Sequence, residues 1–452
     1  MNVREIKRVY FIGIGGIGMS ALARFFREQG IVVSGYDKTE TPLTAQLSAE
    51  GMSIHYTDDV TLIEKATELV IYTPAIPKDH RELNWYRDNN YPVFKRSDVL
   101  QWITQRMFAV TVAGTHGKTT ISTLISYLLR ETGFGCNAFL GGIAVNYDRN
   151  YWSSEKDTAV IEADEYDRSF LKLHPDVAVL TAIDPDHLDI YGTPEEMEAA
   201  FIQYTKNIKP GGTLILKHGL HRDAELHTEN TITYSRTNME ASVHAANMVE
   251  QDGGYTFDVV GQGWDVKGLH LQIGGLHNVE NTVAAVAVTH VLGIDAEKVK
   301  AALPGFRGIK RRFEYLVKTA EHVYIDDYAH HPEELAALIN SAKALFPGRK
   351  CVVAFQPHLF SRTRDLADGF AHSLDLADEV LLLDIYPARE LPMEGVTSRT
   401  ITGRMKNEAH SIVSKEALLE YVQKNKPALF ITAGAGDIDK LAGSIKTILS
   451  EQ

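Results

Sequence analysis

Residues 108–120 read Phe108-Ala109-Val110-Thr111-Val112-Ala113-Gly114-Thr115-His116-Gly117-Lys118-Thr119-Thr120, and this stretch decides the fold. A short apolar run, of the length of a strand buried on both faces, enters a glycine turn and leaves as a helical pattern over residues 119–130. Strand, loop and helix in that order belong to a parallel sheet with helices on its faces. The loop is a P-loop in kind: its backbone N–H groups can cradle phosphates, Lys118 adds a point charge, and the Thr119 hydroxyl suits magnesium. It departs from G-x-x-x-x-G-K-[ST] at one position, because Val112 stands where the first glycine belongs. The residues expected to hold ATP are Gly114, Thr115, His116, Gly117, Lys118, Thr119 and Thr120.

The same pattern occurs nearer the N-terminus. Residues 9–12 read as a strand, Gly13-Ile14-Gly15-Gly16-Ile17-Gly18 fits G-x-G-x-x-G, and residues 19–29 read as a helix, with further strands at 31–36 and 69–72. Glycines there let the backbone approach a diphosphate, and Asp37, closing the second strand, stands where a carboxylate often holds a ribose. On this loop alone a nicotinamide or flavin dinucleotide ranks first. A glycine turn serving only strand–helix packing is the rival.

A third start follows residue 312, with strands at 323–326, 350–355, 380–383 and 428–432 alternating with helices. Between residues 212 and 275 short strand-like pieces such as 255–260 suggest an antiparallel excursion, and residues 278–292 return to a helix. The 452 residues thus divide into three α/β units with boundaries near 106 and 312.

Composition narrows the partners. Forty-six basic against 59 acidic residues give a net charge of −13, which argues against a broad basic face for nucleic acid or anionic lipid. An anionic ligand must meet positive charge locally. Two cysteines, Cys136 and Cys351, make neither a disulfide framework nor a thiolate cluster. Arg4, Lys7 and Arg8 before an apolar stretch imitate a secretory signal, but four glycines interrupt the helix that signal needs. With no bilayer-spanning run either, a cytoplasmic protein is expected.

Two acidic clusters end strands beside the P-loop: Glu162-Ala163-Asp164-Glu165 and Asp184-Pro185-Asp186-His187-Leu188-Asp189. Both would emerge at the ligand-binding edge of a parallel sheet, where carboxylate, imidazole and phosphate oxygens suit Mg2+ or Mn2+. The alternative is a set of solvated loop acids.

The ordered runs Gly13–Ser20, Ala113–Thr120, Gly275-Leu276-His277-Asn278 with Asn281, Asp326-Asp327-Tyr328-Ala329-His330-His331-Pro332, and Phe355-Gln356-Pro357-His358 with Ser361-Arg362-Thr363-Arg364-Asp365 carry a resemblance. Over nearly its whole length the chain resembles the Mur ligase family, the ATP-dependent amide-forming enzymes of peptidoglycan synthesis, and within it the branch that joins L-alanine to UDP-N-acetylmuramate. The resemblance implies three domains. Residues 1–106 would be a Rossmann-like domain binding the UDP-sugar. Residues 107–312 would be a central P-loop ATPase-like domain with a small antiparallel sheet. Residues 313–452 would be a second Rossmann-like domain binding the amino acid and completing the ATP site, with hinge closure near 106 and 312.

The resemblance reassigns the first loop to a UDP-sugar, through Gly13, Gly15, Gly16, Gly18, Met19, Asp37, Thr73 and Ala75. It implies Lys118 at the β and γ phosphates, and Thr119, Glu162 and His187 as metal ligands. His277, Asn278 and Asn281 would face the adenine, and Arg312 and Asp327 the ATP phosphate and ribose. Arg362, Arg364 and either His330 or His331 would face a carboxylate, the diphosphate or the incoming alanine, one histidine being a possible general base. The implied partners are UDP-N-acetylmuramate, L-alanine and ATP, with neither nucleic acid nor membrane, in a monomer or homodimer. Two positions depart from family patterns. Phe201 replaces the lysine that later ligases carbamylate, and Tyr166 replaces a serine common in alanine-adding enzymes. The competing functions are a ligase recycling a murein tripeptide onto the same sugar nucleotide, a nicotinamide oxidoreductase, and a non-catalytic nucleotide switch.

Overall fold

The computed structural model describes residues 6–185, 188–388 and 390–451. Three sheets follow one another along the chain. The first comprises β1 (Arg8–Ile12), β2 (Val32–Tyr36), β3 (Ser53–His55), β4 (Leu69–Tyr72) and β5 (Val93–Lys95), all parallel in the order β3-β2-β1-β4-β5. Neighbouring β1 and β4 continue to opposite sides, so the loop after β1 opens at the switch point where ligands bind. The helix Ile17–Glu28 returns over this sheet, burying Leu22 and Phe26 on the core that holds Val9 and Phe11.

The second sheet comprises β6 (Phe108–Ala113), β7 (Asn137–Ala144), β8 (Arg149–Trp152), β9 (Thr158–Glu162), β10 (Val177–Leu180), β11 (Thr213–Lys217), β12 (Thr231–Ser235), β13 (Val243–Gln251), β14 (Gly254–Gly261) and β15 (Trp264–Leu271). Its order is β15-β14-β13-β12-β11-β10-β6-β9-β7-β8, and the P-loop strand β6 lies between β10 and β9. The antiparallel excursion expected from residue 212 starts later, because β11 and β12 extend the parallel ladder. Chain reversal begins at Asp252 and Gly253, with φ of +52° and +67°, the paired positive values of a two-residue hairpin turn. Alternation along a half-exposed strand does not reveal its neighbour's direction, which is why sequence placed the change too early.

The third sheet comprises β16 (Glu314–Lys318), β17 (Val323–Asp327), β18 (Cys351–Phe355), β19 (Glu379–Leu382), β20 (His410–Ile412) and β21 (Leu429–Ala433), ordered β16-β17-β21-β18-β19-β20. Only β16 runs antiparallel. By compactness the chain forms two units, one of residues 1–246, 258–267 and 280–303 and one of 247–257, 268–279 and 304–452. Residue 106 therefore lies inside the first unit. The joint there is tied: Met107 N–H donates to Ile103 O (2.9 Å) and Met107 O accepts from Lys209 Nζ (3.0 Å). Among the described residues no helix is long and apolar enough to cross a membrane.

Beneath the first sheet's other face lies a buried polar group. Tyr10 Oη donates to Glu82 Oε2 (2.7 Å), Asp59 N–H donates to Glu82 Oε1 (3.0 Å), and His55 Nε2 stands 3.6 Å away. Burial outweighs these hydrogen bonds and pushes the Glu82 carboxyl up to about 7. The folded state therefore keeps a proton that the unfolded chain releases near the ordinary glutamate range. Stability from this group is fully present below the ordinary glutamate range and is lost as pH rises from there through about 7, a change on the order of 3 kcal/mol. Glu82→Gln is expected to flatten the fall in melting temperature between pH 5 and 7.5, and an unchanged slope would remove Glu82 as its source.

Candidate active site

The P-loop leaves β6 at Gly114, whose φ of +125° no ordinary side chain tolerates, and enters the helix Lys118–Glu131 through Gly117, also left-handed at +79°. The loop leans on its neighbour β10: Thr115 N–H donates to Ala182 O (3.0 Å) and the Thr181 hydroxyl donates to His116 O. Thr115 and Thr120 are buried, and the exposed His116 ring lies 3.6 Å from the Asp184 carboxylate. Lys118 Nζ donates to Gly114 O (2.7 Å) and to Glu165 Oε1 (2.8 Å), and Glu165 is 1% exposed. The ammonium is thus fixed at the loop's mouth by a buried carboxylate that sequence reading had placed only among metal candidates. Asn281, from the helix Leu276–Val291, closes the other side; a Cβ at Gly117 would lie 2.8 Å from its Oδ1.

Glu162 ends β9, directly beside β6. Its Oε1 accepts from the Thr119 hydroxyl (3.1 Å) and its Oε2 from Gly141 N–H (3.1 Å). A Cβ at Gly141 would collide with both carboxylate oxygens, so this glycine in β7 is needed for Glu162 to face the P-loop. A hydroxyl opposite a carboxylate is a fitting pair of oxygen donors for a hard divalent cation. No larger group of three or more acidic, histidine or cysteine ligands occurs among the described residues, and His187 lies outside them.

At the first loop, Gly13 and Ile14 donate to Tyr36 O (2.8 and 3.1 Å), and Gly15 N–H donates to Asp37 Oδ2 (2.7 Å). Asp37 therefore clamps the loop through Oδ2. Thr73 packs on Gly13, where a Cβ would lie 2.6 Å from its Cγ2, and Ala75 is exposed beyond it. The Met19 side chain is 2% exposed in the hydrophobic core, since the helix turns it onto the sheet, which leaves its backbone N–H at the helix start. The first intrahelical bond runs from Ser20 N–H to Gly16 O, which leaves the N–H groups of residues 17–19 at the helix start without intrahelical partners.

Two further residues, invisible to motif reading, shape this loop. Arg96, opening the helix Arg96–Arg106, lies against Gly18 and 3.5 Å from Asp164 Oδ2. Asn150, from β8, donates to Ile17 O (2.6 Å) and Ser20 Oγ (2.8 Å) and accepts from the buried Arg24 guanidinium.

In the second unit, Asn278 Nδ2 donates to Gly274 O (2.6 Å), so this buried amide fixes the turn before its helix. His277 folds back over Gly275. Arg312 is exposed, whereas its neighbour Arg311 pairs with buried Asp326 (3.3 Å). Asp327 accepts from Phe313 N–H (2.6 Å) and Ala329 N–H (2.7 Å), and burial pushes its carboxyl up to about 6. The two candidate histidines separate. His331 caps the helix Pro332–Leu345, while the His330 ring is oriented by Nδ1 against Tyr328 O (2.9 Å) and lies edge-on to Tyr328 and His358. The arginines separate too: exposed Arg364 pairs with Asp365 (2.7 Å), and Arg362 is half-buried on the same helix.

Residues 8–107 match the Mur ligase family catalytic domain, residues 112–289 the Mur ligase middle domain, and residues 311–436 the Mur ligase glutamate ligase domain. The UDP-N-acetylmuramate--L-alanine ligase of Cytophaga hutchinsonii is 47% identical over 100% of this chain and 98% of its own length. The chain belongs to the Mur ligase family. A solved structure of the UDP-N-acetylmuramate-alanine ligase of Thermotoga maritima superposes with a TM-score of 0.81 at 29% identity, covering 97% of this chain and 98% of that one. A murein peptide ligase of Psychrobacter arcticus shares the fold, with a TM-score of 0.68 at 22% identity over 99% of both chains. Within this Mur ligase, Phe201 is fully buried against Phe170 (ring centroids 5.2 Å), so a carbamylated lysine has no counterpart at that position.

Proposed function

We propose that this Mur ligase joins the amine of L-alanine to the muramoyl carboxylate of UDP-N-acetylmuramate, with ATP converted to ADP and phosphate, in peptidoglycan synthesis. The observation that carries the chemistry is the pairing at 3.1 Å of Thr119, in the first turn of the helix that follows β6, with Glu162, which ends the adjacent parallel strand β9, with Lys118 next to Thr119 at the helix start. The full-length likeness to alanine-adding relatives supports the substrate.

A carboxylate does not expel oxide when an amine attacks, so in this proposal a carboxylate oxygen first takes the γ-phosphoryl group of ATP, releasing ADP, and the amine then displaces phosphate from the acyl phosphate and loses a proton. Lys118 and the P-loop N–H groups stabilise the charge that spreads over the transferring phosphoryl oxygens. Thr119 and Glu162, with His187, would hold Mg2+ or Mn2+, which supplies further charge neutralisation when bound. The first loop takes the diphosphate through residues 13–19. In the C-terminal unit, Arg362 is assigned to the anionic substrate and His330, rather than the capping His331, to the amine proton. The ligand assignments of residues 1–106, 107–312 and 313–452, and a cytoplasmic location, are part of the same reading.

Phosphate release is the direct test. With ATP, Mg2+ and UDP-N-acetylmuramate, L-alanine is expected to give the highest kcat/KM among L-alanine, glycine, L-serine and the murein tripeptide. Preference for the tripeptide would assign the chain to recycling, and phosphate release independent of any amine would overturn the ligase reading.

A further inference from the structure

The first loop has a charge problem. Residues 13–23 contain no basic side chain, and the next residue, Arg24, is buried in a pair with Glu50. Asp37 adds a carboxylate on Gly15 N–H, in a chain already carrying −13. Backbone N–H groups alone would have to hold a diphosphate against that field.

Arg96 is placed to resolve it. It follows β5 directly, at the edge of the first sheet where the loop after β1 also emerges. A Cβ at Gly18 would collide with Arg96 Nη1 and lie 3.2 Å from Cζ and 3.3 Å from Cδ, so the guanidinium rests on the loop's last glycine. Gly18 does not have a positive φ. A larger residue there would have to displace the guanidinium, whereas the turn itself sets no such limit.

The present acidic partner is weak. Arg96 Nη2 reaches Asp164 Oδ2 at 3.5 Å, one-pronged, and that carboxylate is 43% exposed while its other oxygen accepts from Tyr166 N–H (3.1 Å). Such a pair contributes little, whereas a guanidinium facing two phosphate oxygens makes parallel, charge-assisted bonds.

We propose that Arg96 is a substrate-binding residue whose guanidinium leaves Asp164 to take the diphosphate of the uridine nucleotide on the first glycine loop. This rests on the UDP-sugar reading given above. Because Asp164 sits between Glu162 and Glu165, the exchange would also release a carboxylate next to the P-loop residues when the sugar nucleotide binds.

Titration calorimetry on the full chain without ATP tests it, with UDP, UMP and UDP-N-acetylmuramate as probes. Arg96→Ala is expected to weaken UDP and UDP-N-acetylmuramate by roughly 10- to 100-fold, the loss of a charge-assisted contact, and UMP by less than about threefold. Arg96→Lys should recover part of that loss. Gly18→Ala, which displaces the guanidinium without removing it, should reproduce the UDP defect. In turnover, KM for the sugar nucleotide rises while KM for ATP and for L-alanine stays within about twofold. UDP affinity unchanged in Arg96→Ala overturns the proposal. So does a defect confined to UDP-N-acetylmuramate, which would place the arginine at the muramoyl carboxylate. A wild-type chain that binds none of the three probes would overturn the UDP-sugar reading itself.

Discussion

Lys118→Ala is expected to lower ADP formation by at least about a thousandfold, because the P-loop ammonium neutralises charge that grows on the transferring phosphoryl group. Its burial adds a second effect that the motif alone does not disclose. Glu165 is 1% exposed and holds Lys118 Nζ at 2.8 Å, so the alanine variant leaves a buried carboxylate without its ammonium. Breaking such a pair from one side costs about 3–5 kcal/mol, enough to lower the melting temperature by roughly 10 °C in a chain of this size. Loss of activity in the single variant would therefore mix chemistry with unfolding. The double variant Lys118→Ala/Glu165→Gln separates them: the neutral amide removes the stranded charge, so melting should return to within a few degrees of the wild type while ADP formation stays abolished. Recovery of turnover together with stability would show that Lys118 serves the fold and not the phosphate.

That pair illustrates where sequence reading stops. The glycine loops were legible because their chemistry is local: a strand, a turn that needs glycine and a helix start lie within about a dozen consecutive residues. The strands of the parallel cores were legible for the same reason, since Phe108–Ala113 or Leu429–Ala433 is a continuous apolar run. Three-residue edge strands such as Ser53–His55 and Val93–Lys95 have no such run, and Asn137–Ala144 hides behind Gly141 and Gly142. Site residues divide along the same line. Thr119 and Glu162 meet because one follows and the other ends neighbouring strands of the same parallel sheet, and Lys118 precedes Thr119 at the helix start. For Asp37, Met19 and Asn278, position in the sequence did not disclose what tertiary packing adds: Asp37 clamps its loop, the Met19 side chain lies in the core, and Asn278 fastens a turn. Arg96 and Asn150 carried no signal, because an isolated polar residue acquires meaning only from what the fold brings beside it. Gly141 could have been suspected, since a glycine inside a strand often marks a close approach.

The largest stability loss is expected at the Arg24–Asn150 knot. Arg24 is 1% exposed, and its guanidinium donates to Glu50 (2.9–3.1 Å), to Gln46 Oε1 (3.3 Å) and to Asn150 Oδ1. Asn150, fully buried, returns hydrogen bonds to Ile17 O and Ser20 Oγ in the first turn of the same helix. Arg24→Ala leaves Glu50 and the Asn150 carbonyl without their donor and opens a cavity of side-chain size, a combined loss on the order of 5 kcal/mol. At roughly 2–4 °C per kcal/mol that is a fall of about 10–20 °C in the unfolding of the first unit. Arg24→Lys keeps the charge but not the planar fork, so it reaches fewer of the three acceptors and should recover less than half of the loss. Asn150→Ala, removing one hydrogen bond to a charged donor and two to the helix, should cost about 3 kcal/mol. The two single effects share a bond, so the double variant Arg24→Ala/Asn150→Ala should fall short of their sum by about 1–2 kcal/mol. Strict additivity, or a melting change below about 2 °C for Arg24→Ala, would mean that this buried network only fills space and does not fasten the glycine-loop helix to strand β8.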